Sequence, residues 1–234
     1  MKERLSYKEV IEALQRASEE YPASCFQWTE KKRGLQKLGD NGVIEWQIRF
    51  PWLFPAVREE QGVLSGGRGY SPLPQPELLE SYVKRLEPTP PSFVLLLMEA
   101  GQAALGVVEE GELIRHKVIR KYMVRKKQGK AQLTHLKTQG KSRYGSRLRL
   151  ANSIQFFEEI NDYLQTWPEV EEASTILYRC TPRLWAEVFR SKVPPPFTTE
   201  DERLFSIPED LEACNFEQMQ RLLKKAPTGE REIF

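Results

Sequence analysis

Three absences narrow the kinds of protein that this chain can be. It contains no run of about 18 apolar residues, the length that crosses a bilayer, so we expect no membrane span. No apolar stretch follows Met1 and Lys2, which argues against a secretory signal peptide. The cysteines, Cys25, Cys180 and Cys214, are odd in number and far apart, so we expect no disulfide framework. Together these absences favour a protein of a reducing compartment, the cytoplasm.

The cysteines and histidines are also not spaced as the ligands of a metal site would be. Neither Cys180 nor Cys214 has a second cysteine or a histidine close enough in sequence for a zinc site, so we expect no metal and no cofactor. Metal-dependent cleavage of nucleic acid would need several converging carboxylates. The acidic candidates are Glu99, Glu158 and Glu159. Because the segments beside them carry cations, this reaction is not favoured.

Acidic residues are missing from one long stretch of the chain. No Asp or Glu lies between Glu112 and Glu158, and residues 113–157, called here the basic segment, hold 13 Lys or Arg and both histidines. The rest of the chain holds 22 basic and 33 acidic residues. A run of charge is most often a solvated surface. Unrelieved positive charge repels itself unless a polyanion neutralises it, so this segregation favours contact with nucleic acid.

The pattern of apolar residues predicts an α/β fold with a mixed sheet. Residues 1–75 are expected to form a smaller N-terminal accessory region. It contains an amphipathic helix at 6–19 that opens with a capping box of Ser6 and Glu9, and a strand within 43–54. A linker rich in Gly, Ser and Pro follows at 61–76.

The larger domain, 76–234, is predicted to alternate strands and helices. Its elements are a helix at 76–86, strands at 92–99, 103–109 and 112–119, a further strand at 121–127, a loop at 128–147, a helix at 150–164, a strand at 174–178, a helix at 182–189, a strand at 204–207 and a final helix capped by Asn215. The dipeptide Glu110-Gly111 indicates a hairpin. A long loop in a compact domain is often functional, which makes 128–147 the first place to look for a site.

A glycine-containing turn that ends in glutamine opens this loop. Gly129 allows unusual backbone conformations, and Ala131 adds little bulk beside Gln132. The cations around the turn suit contact with phosphates. They are Arg125, Lys126, Lys127, Lys130, Lys137, Lys141, Arg143, Arg147 and Arg149. We expect a flexible finger that places one amide side chain in an RNA-walled site.

Gln132 cannot act as a general acid or base near neutral pH, because its side chain offers only amide donors and a carbonyl acceptor. It could orient a water, exclude solvent or donate a hydrogen bond to a developing oxyanion, a task that a backbone N–H could do equally well. By spacing alone this signal is weak, since most Gly-x-x-Gln strings are surface loops. Of the histidines, His116 is expected to be structural and His135 to contact phosphate.

From residue 92 to the C-terminal helix, the chain resembles the catalytic domain of the VMS-type release-factor-like family. This family includes the eukaryotic ankyrin-repeat and zinc-finger peptidyl-tRNA hydrolase. The matching residues are His116-Lys117, Arg120-Lys121-Tyr122, Val124-Arg125, Lys127-Gln128-Gly129, Ala131-Gln132, Gly145, Leu148-Arg149 and Asn152. The resemblance implies a ribonuclease-H-like mixed sheet flanked by helices, shared with the middle domain of eukaryotic and archaeal class I release factors.

The resemblance also implies a function. Gln132 would correspond to the glutamine of the Gly-Gly-Gln or Gly-Ser-Gln motif, which enters the peptidyl-transferase centre; Lys130-Ala131 departs from that motif. The implied protein is a peptidyl-tRNA hydrolase, or release factor, that frees nascent chains from stalled large ribosomal subunits. Its partners would be large-subunit RNA and peptidyl-tRNA, and we expect a monomer. Two alternatives stay open: a non-catalytic protein that binds structured RNA or the ribosome, and a nuclease of the tRNA acceptor end.

Overall fold

The computed structural model of the chain describes residues 1–29, 33–61, 74–123 and 141–234, without the side chains of 59–61, 74–76 and 141–146. These residues form two compact units. The first consists of Met1–Pro90 and Lys224–Phe234, and the second of Pro91–Leu223. The domain division expected at 75/76 stays a prediction. None of the helices in these ranges combines the length and the apolar character that crossing a membrane requires.

The first unit contains an antiparallel sheet of five strands. Their bounds are β1 (Lys2–Leu5), β2 (Phe26–Trp28), β3 (Gly34–Leu38), β4 (Ile44–Arg49) and, from the end of the chain, β12 (Gly229–Ile233). Their order across the sheet is β1-β12-β4-β3-β2. The strand expected within 43–54 is confirmed as β4. The pairing of β1 with β12, which joins the two ends of the chain, was not predicted.

Helix α1 (Tyr7–Glu20) confirms the predicted capping box. The backbone N–H of Glu9 donates to Ser6 Oγ at 3.3 Å, and the N–H of Ser6 donates to Glu9 Oε2 at 2.7 Å. The unit also contains a short antiparallel pair, β5 (Glu59–Gln61) with β6 (Pro74–Pro76), and helix α2 (Leu79–Lys84). The predicted linker at 61–76 lies mostly outside the described residues. Helix α2 is shorter than the predicted helix at 76–86.

The second unit is built on a mixed sheet of five strands. Their bounds are β7 (Phe93–Glu99), β8 (Gln102–Glu109), β9 (Glu112–Arg120), β10 (Thr175–Arg179) and β11 (Leu204–Ser206). The order is β11-β10-β7-β8-β9, with β10 parallel to β7 and β11, and the other pairs antiparallel. The predicted α/β class with a mixed sheet is thereby confirmed. The narrower ribonuclease-H-like assignment stays a prediction.

Four helices accompany this sheet in the described part of the chain. They are α3 (Lys141–Thr166), α4 (Glu169–Glu172), α5 (Pro182–Arg190) and α6 (Phe216–Lys225), whose last two residues belong to the first unit. On α3, Phe156, Ile160 and Leu164 recur at helical spacing and are fully buried in one cluster with apolar side chains of β7 and β8. The helix predicted at 150–164 is confirmed within α3. Leu150 and Ile154, at helical spacing from the buried residues, remain 64% and 46% exposed, so only the later turns of α3 have a buried apolar face.

Two predicted boundaries beside the candidate site are wrong. Strand β9 ends at Arg120, opposite Gln102, the first residue of β8, and residues 121–123 of the strand predicted at 121–127 are not in a strand. Residues 124–127 lie outside the described residues. Residues 141–147 were expected in a loop, but they form the first turns of α3. A helix shows apolar periodicity only where one of its faces is buried. The lack of apolar periodicity at residues 141–147 therefore did not exclude a helix there.

Candidate nucleic-acid interface

The basic segment departs from one edge of the sheet of the second unit. Residue Arg120, which ends β9, pairs with Gln102, and Gln102 also pairs with Glu99, which ends β7. The parallel strand β10 ends at the same edge, since Arg179 lies opposite Leu97. Binding sites of α/β proteins commonly lie outside the carboxyl ends of parallel strands. This edge is therefore a suitable place for a functional segment to begin.

A glycine fixes the backbone where the segment leaves the sheet. Gly101, in the turn between β7 and β8, has a φ of +85°, which side-chain-bearing residues rarely adopt. Its carbonyl accepts a hydrogen bond from the backbone N–H of Lys121 at 2.8 Å. A Cβ atom at Gly101 would lie 2.4 Å from the carbonyl oxygen of Lys121. Only glycine fits this close approach without moving the chain.

Helix α3 holds the two residues that follow the end of β9. The Nδ2 atom of Asn152 donates to the backbone carbonyl of Tyr122 at 2.9 Å. Seven residues later on the same helix, Glu159 forms an ion pair with Lys121, with Oε2 and Nζ 2.8 Å apart. A spacing of seven residues places Asn152 and Glu159 on one face, two turns apart. We call these two contacts, to Tyr122 and Lys121, the α3 tie.

A polar contact network surrounds the start of β8. With its amide oriented to match its neighbours, Gln102 donates to Glu99 Oε1 at 2.7 Å and accepts from Arg120 Nε at 3.1 Å. The carboxylate of Glu99 and the guanidinium of Arg120 are thus joined through one amide. Glu99 and Glu159, two of the acidic candidates considered for a nuclease, therefore both contact groups that hold the edge together. Among the described residues, no three His, Cys, Asp or Glu side chains are grouped so that they could hold a metal ion.

The cations in the body of β9 are engaged with the helices. The Nε atom of Arg115 donates to both carboxylate oxygens of Glu169 at 2.8 and 2.9 Å, and this hydrogen bonding lowers the pKa of Glu169. The Nζ atom of Lys117 lies 4.8 Å from the centre of the Tyr163 ring, and a hydrogen bond with that side chain raises the pKa of Lys117. These cations therefore stabilise the packing of β9 against α3 and α4.

The described cations at the start of α3 are placed differently. Arg147 is exposed and Arg149 is half-buried. Neither forms an ion pair within the part of the chain that the structure describes. Their charge is consequently available to an outside anion, as phosphate recognition requires.

Most of the predicted site residues cannot be compared with the structure. Gln132, Gly129 and Ala131, and the cations Arg125, Lys126, Lys127, Lys130 and Lys137, lie outside the described residues. The backbones of Lys141 and Arg143 are described, in the first turn of α3, but their side chains are not. Of the predicted side chains, the structure thus describes only Arg147 and Arg149. Their proposed roles stay predictions.

The remaining candidates occupy structural positions where they are described. His116 lies on β9 with its ring centre 4.8 Å from that of Phe216, and His135 lies outside the described residues. The three cysteines are free thiols. Burial raises the pKa of the Cys180 thiol to about 11 and that of Cys214 to about 12, which disfavours the reactive thiolate.

Sequence reasoning missed the residues that hold the segment at the edge. The resemblance includes Asn152, but nothing in the sequence links it to the carbonyl of Tyr122. Glu159 is a candidate metal ligand by sequence, yet it pairs with Lys121. One signal was available: Asn152 and Glu159 are seven residues apart on a predicted helix, so both could have been expected to contact the same neighbouring segment. The role of Gly101 had no comparable local signal.

The similarity of this chain to known proteins covers the region that contains the basic segment. A family model described as Bacteroidetes VLRF1 release factor matches residues 93–229. The tRNA endonuclease ANKZF1 of Homo sapiens is 32% identical over 158 residues, covering 65% of this chain and 22% of the relative. The protein of the same name from Mus musculus is 30% identical over 158 residues, with 65% and 21% covered. This chain therefore spans about a fifth of the length of these relatives.

A solved structure titled Vms1 mitochondrial localization core is also similar. The similarity covers 97% of this chain and 84% of that chain, with a TM-score of 0.47 and 11% sequence identity.

Proposed function

Since the chain belongs to the family described as Bacteroidetes VLRF1 release factor, we propose that it is a cytoplasmic peptidyl-tRNA hydrolase that frees nascent chains from stalled large ribosomal subunits. Its partners are large-subunit RNA and peptidyl-tRNA. The Gly-containing loop that carries Gln132 enters the peptidyl-transferase centre, and Gln132 acts there. The match at 93–229 includes the whole of the basic segment, which supports the assignment.

The distribution of charge is the observation that carries this proposal. Positive charge is concentrated in residues 113–157, and Arg147 and Arg149 form no ion pair with described acidic groups. A cation without an internal partner gains most from phosphate, because contact with phosphate releases condensed counterions. The cations of 125–149 therefore bind ribosomal RNA and the tRNA acceptor stem, and they carry Gln132 to the ester.

The chemistry assigned to Gln132 follows from what an amide can do. The scissile bond joins the nascent chain to the ribose of the terminal nucleotide, and water attacks its carbonyl carbon. Gln132 orients that water or donates an N–H to the oxygen as negative charge develops. The 2′-hydroxyl of the same nucleotide assists as a neighbouring donor and acceptor. No titrating side chain of the protein is needed in this scheme.

Replacing Gln132 by alanine tests this assignment directly. We expect Gln132→Ala to lower the rate of peptide release from stalled ribosome–nascent-chain complexes by about 100-fold, as loss of one oxyanion donor does. Cosedimentation with large subunits should be unchanged, because the cations remain. Gln139→Ala, the same change seven residues further on, is the matched control and should release at the normal rate. Normal release by Gln132→Ala would remove this residue from the mechanism.

A second candidate function is cleavage of the tRNA strand near its acceptor end. It is favoured by the ANKZF1 relatives, which are named tRNA endonucleases and are 30–32% identical to this chain. Both reactions free the nascent chain, but only strand cleavage shortens the tRNA. Sequencing the 3′ end of the tRNA after release distinguishes them: an intact end supports ester hydrolysis, and a shortened end supports the nuclease. Binding without release in either form would support the non-catalytic alternative.

A further inference from the structure

We infer that Asn152 is a positioning residue, which sets the geometry of the proposed reaction by fixing the chain that leads from β9 into the segment containing Gln132. This inference rests on the proposed function. It concerns a residue that contacts no substrate and acts through the backbone of Tyr122. The α3 tie is the structural basis of the inference.

The α3 tie is important because of where its residues lie along the chain. Residues 124–140 join Met123 to Lys141, the first residue of α3. Asn152, on α3, is hydrogen-bonded to Tyr122, which is 30 residues earlier in the sequence and directly before Met123. Described residues on both sides of 124–140 are therefore attached to one helix: Tyr122 by the Asn152 amide, and Lys141 because it is the first residue of α3.

The Tyr122 carbonyl depends on Asn152 because it lies beyond the sheet. Strand β9 ends at Arg120, and the opposite strand β8 begins at Gln102. Within the described residues, the Nδ2 atom of Asn152 is the donor found for this carbonyl. The ion pair of Lys121 with Glu159, on the same face of α3, fixes the preceding residue. Two consecutive residues are thus held by two turns of one helix.

The contribution of this contact to global stability is small, whereas its geometric effect is large. A single exposed hydrogen bond between neutral groups contributes little to the free energy of folding, and water can replace it when it is broken. Catalytic groups, by contrast, must be held close to their productive positions, and a displacement of about 1 Å can cost on the order of 100-fold in rate. Removal of the Asn152 hydrogen bond should therefore affect turnover much more than folding.

Asn152→Asp is the decisive substitution, because it keeps the shape of the side chain and removes its N–H donors. The ionised carboxylate would also repel the Tyr122 carbonyl. We expect the kcat of peptide release to fall at least about tenfold, within the range that misplacement of a catalytic group produces. The KM for stalled complexes and the thermal unfolding temperature should stay close to wild type. Asn152→Gln, which keeps a donor on a side chain one methylene longer, should restore part of the rate.

Gln155→Glu is the matched control. It makes the same change from amide to carboxylate on the same helix, at an exposed residue for which no hydrogen bond is found among the described residues. If Asn152→Asp releases peptide as fast as Gln155→Glu, the inference is wrong. An equal fall in stability and rate, without rescue by Asn152→Gln, would also overturn it, since that pattern indicates a structural role alone. If the wild-type protein shows no release, the proposed function fails, and this inference fails with it.

Discussion

The strand half and the helix half of the basic segment use their positive charge differently. On β9, Arg115 pairs with Glu169, Lys117 contacts Tyr163, and Lys121, just after the strand, pairs with Glu159. At the start of α3, Arg147 and Arg149 form no ion pair among the described residues. The described cations of this segment therefore form two populations in the structure. Those on and just after β9 contact neighbouring side chains, whereas Arg147 and Arg149 have no acidic partner among the described residues.

The largest expected effect concerns the point where the strand half ends. We expect Gly101→Ala to lower the free energy of unfolding by about 3 kcal/mol, because alanine is strained at a φ of +85° and its Cβ would displace the Lys121 carbonyl. Gly111→Ala is the matched control: its φ is +83°, but nothing lies within 4 Å of the added Cβ. It should cost about 1 kcal/mol. Chemical denaturation measures both, and equal losses would show that the close approach at Gly101 has no energetic effect.

The difference between the strand half and the helix half is tested by removing two cations from each. Arg147→Ala with Arg149→Ala should weaken binding to large ribosomal subunits and reduce the salt slope of log K by about 1 for each phosphate that the variant no longer neutralises. Arg115→Ala with Lys117→Ala removes the same charge from β9, whose side chains are engaged internally, and should leave the slope unchanged. Binding titrations at several salt concentrations provide the measurement. The division into two populations would be untenable if both double variants changed the slope equally.

The smallest expected effect is on the stability and pH response of the strand half. Arg115 is partly exposed, so Arg115→Ala should lower the free energy of unfolding by less than about 1 kcal/mol. The pKa of Glu169 is lowered in the folded state, so the stabilisation is present above its unfolded pKa and disappears as pH falls through the folded one. Wild type and variant should therefore differ in stability at neutral pH and converge in acid. A difference that persists or grows in acid would exclude this ion pair as its source.

Local sequence signals predicted elements whose determinants are close together in the chain. The capping box of α1 needs only Ser6 and Glu9, and the hairpin between β8 and β9 needs only Glu110-Gly111, both with positive φ. Helix α5 begins at Pro182, as predicted, and the N–H of Leu184 donates to Thr181 Oγ1 at 3.4 Å. Each of these features is decided within a few residues, so the sequence was sufficient.

Features that depend on distant partners were not predicted. Strands β1 and β12 are short and largely polar, and each is paired with a strand from the other end of the sequence, with Lys2 opposite Glu232. In the candidate site, the resemblance identified Asn152 and the composition identified the cations. Neither could show that Asn152 contacts Tyr122, or that Arg115 is neutralised by Glu169, because each contact joins residues 30 or more positions apart.

The sequence by itself determined that positive charge is concentrated in residues 113–157, that strands and helices of an α/β fold flank this segment, and that Gly129 and Gln132 lie within it. These properties follow from the composition and from local sequence patterns. Only the tertiary structure decided which described cations are engaged internally and which remain open, and where the chain that leads toward Gln132 is fastened. The physical reason is that a charge or a carbonyl acquires its role from the partner that folding brings to it, and these partners come from distant parts of the chain.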